Sequence, residues 1–159
     1  GEEGRGFYYL LDGLNPERCL IAAEAIGIGR CALDRAANYV RERVVFDRPI
    51  GQNPGIQPPL ADSWAKLGAA RLLTYQGPWL YDQGEPRGGE ANAAKYLAAE
   101  FAFEACERAV LTHGGMGYAK EFHVERLFRE IMIARIAPIS RELVLSYIGE
   151  RQLDLPKSY

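Results

Sequence analysis

The chain has 159 residues, 48% apolar and 25% charged, with 19 basic side chains against 21 acidic ones and a net charge of −2. That length suits one domain with a single core that needs neither disulfides nor metal to hold it. The near-neutral balance gives no electrostatic basis for nucleic acid or an anionic membrane surface as partner, and no stretch approaches the roughly 20 apolar residues of a membrane span.

Cys19, Cys31 and Cys106 sit in helical patterns without CxxC spacing. They read as reduced core thiols in an intracellular compartment, not as a disulfide framework or zinc site. The chain opens on Gly1-Glu-Glu-Gly-Arg-Gly6, without Met or a signal-peptide pattern, so an N-terminal portion is expected to be missing.

Residues 7–11, Phe-Tyr-Tyr-Leu-Leu, are strand formers flanked by glycine and predict a short strand or arm, with residues 1–13 leading in from another domain. Asn15-Pro16 predicts a helix start, with Asn15 as cap and Pro16 in the first helical position. That puts Glu17 in the first turn, where a carboxylate offsets the helix dipole by about 0.3 to 1 kcal/mol. From Glu17 to about Val45, apolar residues at spacings of three and four predict one long helix. Gly27 and Gly29 would each cost that helix up to about 1 kcal/mol, which close approach of another backbone would explain.

Residues 47–59 carry four prolines and two glycines and predict an ordered loop. A second helix is expected from Pro58 or Pro59 to Asp82, bent at Gly77-Pro78. A turn over 84–89 leads to an alanine-rich third helix from about Glu90 to His113, stopped by Gly114-Gly-Met-Gly117. Residues 124–136 predict a fourth helix, and Pro138 opens a fifth. Without internal repeats or linkers, this predicts an all-α domain over 14–159: an up-down four-helix bundle with an additional short C-terminal helix.

Three segments in order carry a family resemblance: Gly13-Leu-Asn-Pro-Glu-Arg-Cys-Leu-Ile-Ala22; Arg41-Glu-Arg-Val-Val-Phe-Asp-Arg-Pro-Ile50 with Leu60-Ala-Asp62; and His113-Gly-Gly-Met-Gly-Tyr118 with Glu125-Arg-Leu-Phe-Arg-Glu130. Together they resemble the C-terminal α-helical domain of an acyl-CoA dehydrogenase, over nearly the whole chain. The resemblance implies a flavoenzyme in which FAD accepts hydride from an acyl-CoA that becomes the 2-enoyl-CoA, electrons then passing to an electron-transferring flavoprotein. It also implies N-terminal helical and middle β-domains, a homodimer or homotetramer, and a bacterial cytoplasm or mitochondrial matrix. A fragment of this extent is expected to be inactive alone.

Most of the family carries its base, a Glu, on the loop before the last helix; Pro138 stands there in this chain. The isovaleryl-CoA and long-chain branches carry it near the start of the bundle's first long helix, and Glu17 falls on that position. Glu24, seven residues on and on the same helix face, is the second choice, with burial against an arginine as its ordinary explanation. By resemblance Leu14, Asn15 and Arg18 line the substrate entrance, although Arg18 also reads as a surface cation. Arg43 and Phe46 match an Arg-x-x-Phe-Gly motif that reaches the FAD of a neighbouring subunit. Gly114 and Gly115 match a Gly-Gly-x-Gly that approaches its diphosphate, and Ser140 matches a flavin-bonding Thr. Helix-end roles remain alternatives for Arg43, the glycines and Ser140. Asp47, Pro54 and Leu111 depart from the pattern. Two other readings are a flavin oxidase or mono-oxygenase of the same fold, and a degenerate helical oligomerisation module without FAD.

Overall fold

The computed structural model describes residues 1–86 and 88–158. Five helices run in chain order: α1 (Gly6–Glu42), α2 (Gln57–Asp82), α3 (Gly88–His113), α4 (Val124–Ile136) and α5 (Arg141–Gln152). Strands β1 (Val44–Val45) and β2 (Arg48–Pro49) pair antiparallel as a minimal hairpin after α1. Phe46 and Asp47 form its two-residue turn, both at positive φ, 52° and 60°, as such turns require.

The predicted strand at residues 7–11 is instead the beginning of α1. A lone strand leaves its backbone groups unpaired, whereas a helix satisfies them locally. Pro16 accordingly lies inside α1, Asn15 is not a cap, and Glu17 is not in the first turn. Of the predicted 84–89 turn, Gly88 and Gly89 already belong to α3, and Arg87 lies outside the described residues. Helices α2 and α4 fall where the periodicity places them, and α2 continues through Pro78 to Asp82.

Helix α3 is the centre of the bundle and contacts all four others. Its face toward α1 is built from Ala94, Ala98, Ala102, Ala105 and Ala109, and α1 answers with Ala22, Ala25, Gly29, Ala32 and Ala36, all buried. Small side chains on both sides let the two backbones come close. A Cβ on Gly29 would lie 2.9 Å from Ala102 Cβ and 3.0 Å from its Cα, while one on Gly27 would meet nothing within 4 Å. Close approach therefore accounts for Gly29 and not for Gly27.

Candidate functional site

Glu17 is exposed and eleven residues into α1, past the reach of the helix dipole. The ordinary explanation for a carboxylate here thus falls away. Glu24 is likewise exposed, so it is not an arginine's buried partner. Seven residues put the two about 10 Å apart on one face, with Leu20, 69% exposed, and half-buried Ile21 between them. This is an apolar strip of α1 with an exposed carboxylate at either end, its Ile21 packed on the core and its Leu20 largely exposed.

One residue on, Arg18 points the other way. It is only 5% exposed, so it is not a surface cation. Its Nη1 donates to Asn15 Oδ1 at 2.9 Å, and Asn15 Nδ2 donates to Asp12 Oδ1 at 3.3 Å. Burial pushes the guanidinium's pKa down, partly offset by Tyr147, Cys19 and Glu17. Arg18 Nε and Asn92 Oδ1 are both buried without a partner among the described residues. The two side chains line a cavity of about 360 Å³ between α1, α3 and α5, with Ile139 and Leu143 on its far wall. Leu14, on the same stretch of α1, is half-buried.

Ser140 lies between those two wall residues. It caps α5, its Oγ accepting the Leu143 N–H at 3.4 Å. Accepting that bond leaves its own proton free for an outside acceptor. The carbonyl just before it, Ile139, accepts from Lys95 Nζ at 2.6 Å. Lys95 is 1% exposed, and desolvation drives its pKa down. Sequence reasoning missed both Lys95 and Asn92. The signal was there for Lys95: it sits at core spacing among Ala91, Ala98 and Ala102, where an alanine would be expected.

The remaining predicted residues gather at the other end of the bundle. Some 25 helical residues separate Glu17 from Glu42, about 38 Å at 1.5 Å per residue. There the C-terminal ends of α1 and α3 are joined by Tyr39 stacked on His113 at 4.2 Å, with Phe122 edge-on to both. His113 is buried, its Nδ1 2.7 Å from the Ala109 carbonyl. Arg43 follows Tyr39 by one turn, its N–H bonded to the Tyr39 carbonyl, and its side chain is exposed. Phe46 stands 93% exposed at the tip of the hairpin.

Gly114 follows His113 with φ +60°, and no atom lies within 4 Å of a Cβ built on Gly114 or Gly115. An exposed guanidinium, an exposed ring and open glycine backbone on one end suit an anionic, partly aromatic cofactor such as FAD. The Asp47 departure has a local reason: that turn position needs positive φ, which aspartate tolerates better than most residues. Leu111, at 62% exposure, offers this end an apolar side chain where the related motif has Gln.

A second cavity, about 500 Å³ and mostly apolar, opens between α1 and α2, lined by Pro16, Cys19, Leu20, Tyr75, Pro78 and Tyr81. Among the described residues no three His, Cys, Asp or Glu side chains gather as metal ligands, and no helix is long and apolar enough to cross a membrane.

The family described as acyl-CoA dehydrogenase, C-terminal domain, matches residues 4–153. The chain belongs to the acyl-CoA dehydrogenase family. It is 44% identical over its whole length to acyl-CoA dehydrogenase FadE12 of Mycobacterium tuberculosis, covering 42% of that protein. It is 40% identical, over 86% of its length, to the 3-(aryl)acrylate reductase of Clostridium sporogenes, covering 36% of it. Butyryl-CoA dehydrogenase from Megasphaera elsdenii superposes with a TM-score of 0.93 at 35% identity, over 96% of this chain and 40% of that one. The chain thus spans about two fifths of the length of the acyl-CoA dehydrogenases it matches, and its helical bundle is their C-terminal domain.

Proposed function

We propose that the intact protein dehydrogenates an acyl-CoA thioester between its α and β carbons, with Glu17 as the base that removes the α-proton. FAD, when bound, supplies the hydride acceptor for the β-hydrogen. The observation that carries this reading is the situation of Glu17: an outward carboxylate in a helix interior, beside an apolar strip, with no role in ending the helix. The loop position that would offer an alternative base holds Pro138. An α-proton beside a thioester is weakly acidic, so the base has to be close and shielded from water. Leu20 and Ile21 supply one apolar wall, and further parts of the protein would supply the rest.

Arg18, buried behind Glu17 and hydrogen-bonded to Asn15, supports the base from the inner side of α1. Leu14 and Asn15 flank the entrance. Ser140 would donate to the flavin, while Arg43, Phe46 and the backbone at Gly114 and Gly115 would hold the remainder of a flavin. The Glu17 end, on whose side Ser140 lies, and the Arg43 end are about 38 Å apart along α1, too far to serve one cofactor within a single copy. A pair of chains in opposite orientation brings one copy's Glu17 end to the other's Arg43 end, which favours a homodimer or a tetramer of such pairs. Electrons would leave through an electron-transferring flavoprotein, in a bacterial cytoplasm or a mitochondrial matrix. Glu24 is the second-choice base on the same strip.

Anaerobic addition of acyl-CoA to the intact flavoprotein tests the reading. Bleaching of the flavin band is expected. Loss of bleaching with the flavin still bound points to an oxidase or mono-oxygenase of this fold. A colourless protein that takes up no FAD points to a helical assembly module, the reading that the exposed Leu111 favours.

A further inference from the structure

Helix α3 grips the segment between α4 and α5 at three points. On one flank, Glu100 accepts from Arg135 Nε at 3.0 Å and from its Nη2 at 3.1 Å, in the last turn of α4. On the other flank, the same carboxylate accepts from Arg141 Nη1 at 3.4 Å, at the first residue of α5. In the middle, Lys95 holds the Ile139 carbonyl at 2.6 Å. The Arg135 guanidinium also lies over the Phe103 ring, 4.5 Å from its centre, so α3 braces that flank from two positions.

Lys95 is an expensive way to fill a core position. An ammonium at 1% exposure forfeits its hydration, and its bond to Ile139 is a single carbonyl contact where an alanine would have cost nothing. The depressed pKa of the group records that cost. The same carbonyl belongs to the peptide unit whose nitrogen is that of Ser140, so fixing its direction fixes the plane from which Ser140 departs. Ser140 Oγ is in turn held by the Leu143 N–H, which leaves the hydroxyl proton free to donate to another acceptor.

We propose that Lys95 is a positioning residue: by fixing the plane of the Ile139–Ser140 peptide it sets the direction in which the Ser140 hydroxyl donates. The flanking Glu100 bonds keep the segment from shifting as a whole, and Lys95 fixes its rotation. The inference rests on the reading of Ser140 as a flavin donor given under Proposed function, and its test separates the two.

The test uses the full-length, FAD-loaded protein with Lys95→Met, Ser140→Ala and the double substitution, read by amide hydrogen exchange and by the visible spectrum of the flavin. Lys95→Met is expected to speed exchange at the Leu143 amide at least tenfold while core amides such as that of Ala98 keep their rates. It is expected to move the flavin band in the same direction as Ser140→Ala, with no further shift in the double variant, because both act through one hydroxyl. Additive band shifts, an unchanged Leu143 amide, or faster exchange throughout α3 would make Lys95 a plain stability residue and overturn the proposal. A faster Leu143 amide with a flavin band indifferent to both substitutions upholds the hold on Ser140 and sinks the flavin role of that serine. Should Lys95→Met fail to fold, Lys95→Gln keeps an N–H donor without the charge. Leu143 protection close to wild type in that variant supports the proposal, and its loss with an intact core overturns it.

Discussion

Two glycines two residues apart on α1 should respond to alanine in opposite directions. At Gly27 a new Cβ meets nothing within 4 Å, so the change removes only the conformational freedom that glycine brings to a helix, about 1 kcal/mol in favour of the variant. At Gly29 the same gain applies, but the Cβ would lie 2.9 Å from Ala102 Cβ, 3.0 Å from Ala102 Cα and 3.1 Å from Leu67 Cδ2. A leucine tip can rotate away; the α3 backbone cannot without moving the helix. Overpacking of that kind costs about 1 to 3 kcal/mol, which leaves Gly29→Ala destabilised by about 1 kcal/mol after the propensity gain. The variants should therefore differ by about 2 kcal/mol. At about 2 to 4 °C per kcal/mol for a domain of this size, Tm should rise for Gly27→Ala and fall for Gly29→Ala, with a gap of about 4 to 8 °C in thermal unfolding. Equal shifts in one direction would refute the argument that α1 and α3 are in contact at Gly29.

Cys106 gives a pH signature. Burial raises its thiol from 9.0 to about 12, so the folded chain keeps a proton that the unfolded chain releases above pH 9. The unfolded state then binds fewer protons, and stability should fall with rising pH from about 9 to about 12, by up to about 1.4 kcal/mol per unit. Cys106→Ala removes that slope, so its stability difference from wild type should narrow across the range in urea melts; parallel curves would contradict the burial of the thiol. Arg43→Ala in the intact protein should weaken FAD binding at least about tenfold, the worth of a hydrogen bond to a charged group, measured by flavin fluorescence. Unchanged affinity would take Arg43 out of the cofactor site.

The bundle was largely legible because its helices are long and their apolar spacing is regular: α2 and α4 lie where periodicity puts them. The start of α1 was not, because aromatic residues read as strand formers on any local scale, and only the absence of a pairing partner turns them into helix. That error carried over to Glu17 and Asn15, assigned helix-end roles that a helix beginning at Gly6 does not allow. Which way Arg18 faces depends on helical phase relative to α3 and α5, which no local pattern encodes. Lys95 was passed over for the opposite reason: a lysine in an alanine-rich helix reads as solvated unless its position on the core stripe is counted. The family motifs singled out Arg43, Phe46, Gly114 and Gly115 separately, and that their two segments lie at helix ends joined by Tyr39 and His113 is visible only in the fold.

The most direct measurement is the rate of flavin reduction by acyl-CoA in the intact protein carrying Glu17→Gln, followed anaerobically in a stopped-flow instrument. Glutamine keeps the size of the side chain and removes the base, so the rate should fall by about 10² to 10⁴ with FAD content and helicity unchanged. A rate within a few-fold of wild type would contradict Glu17 as the base, and with Pro138 on the loop it would direct the search to Glu24.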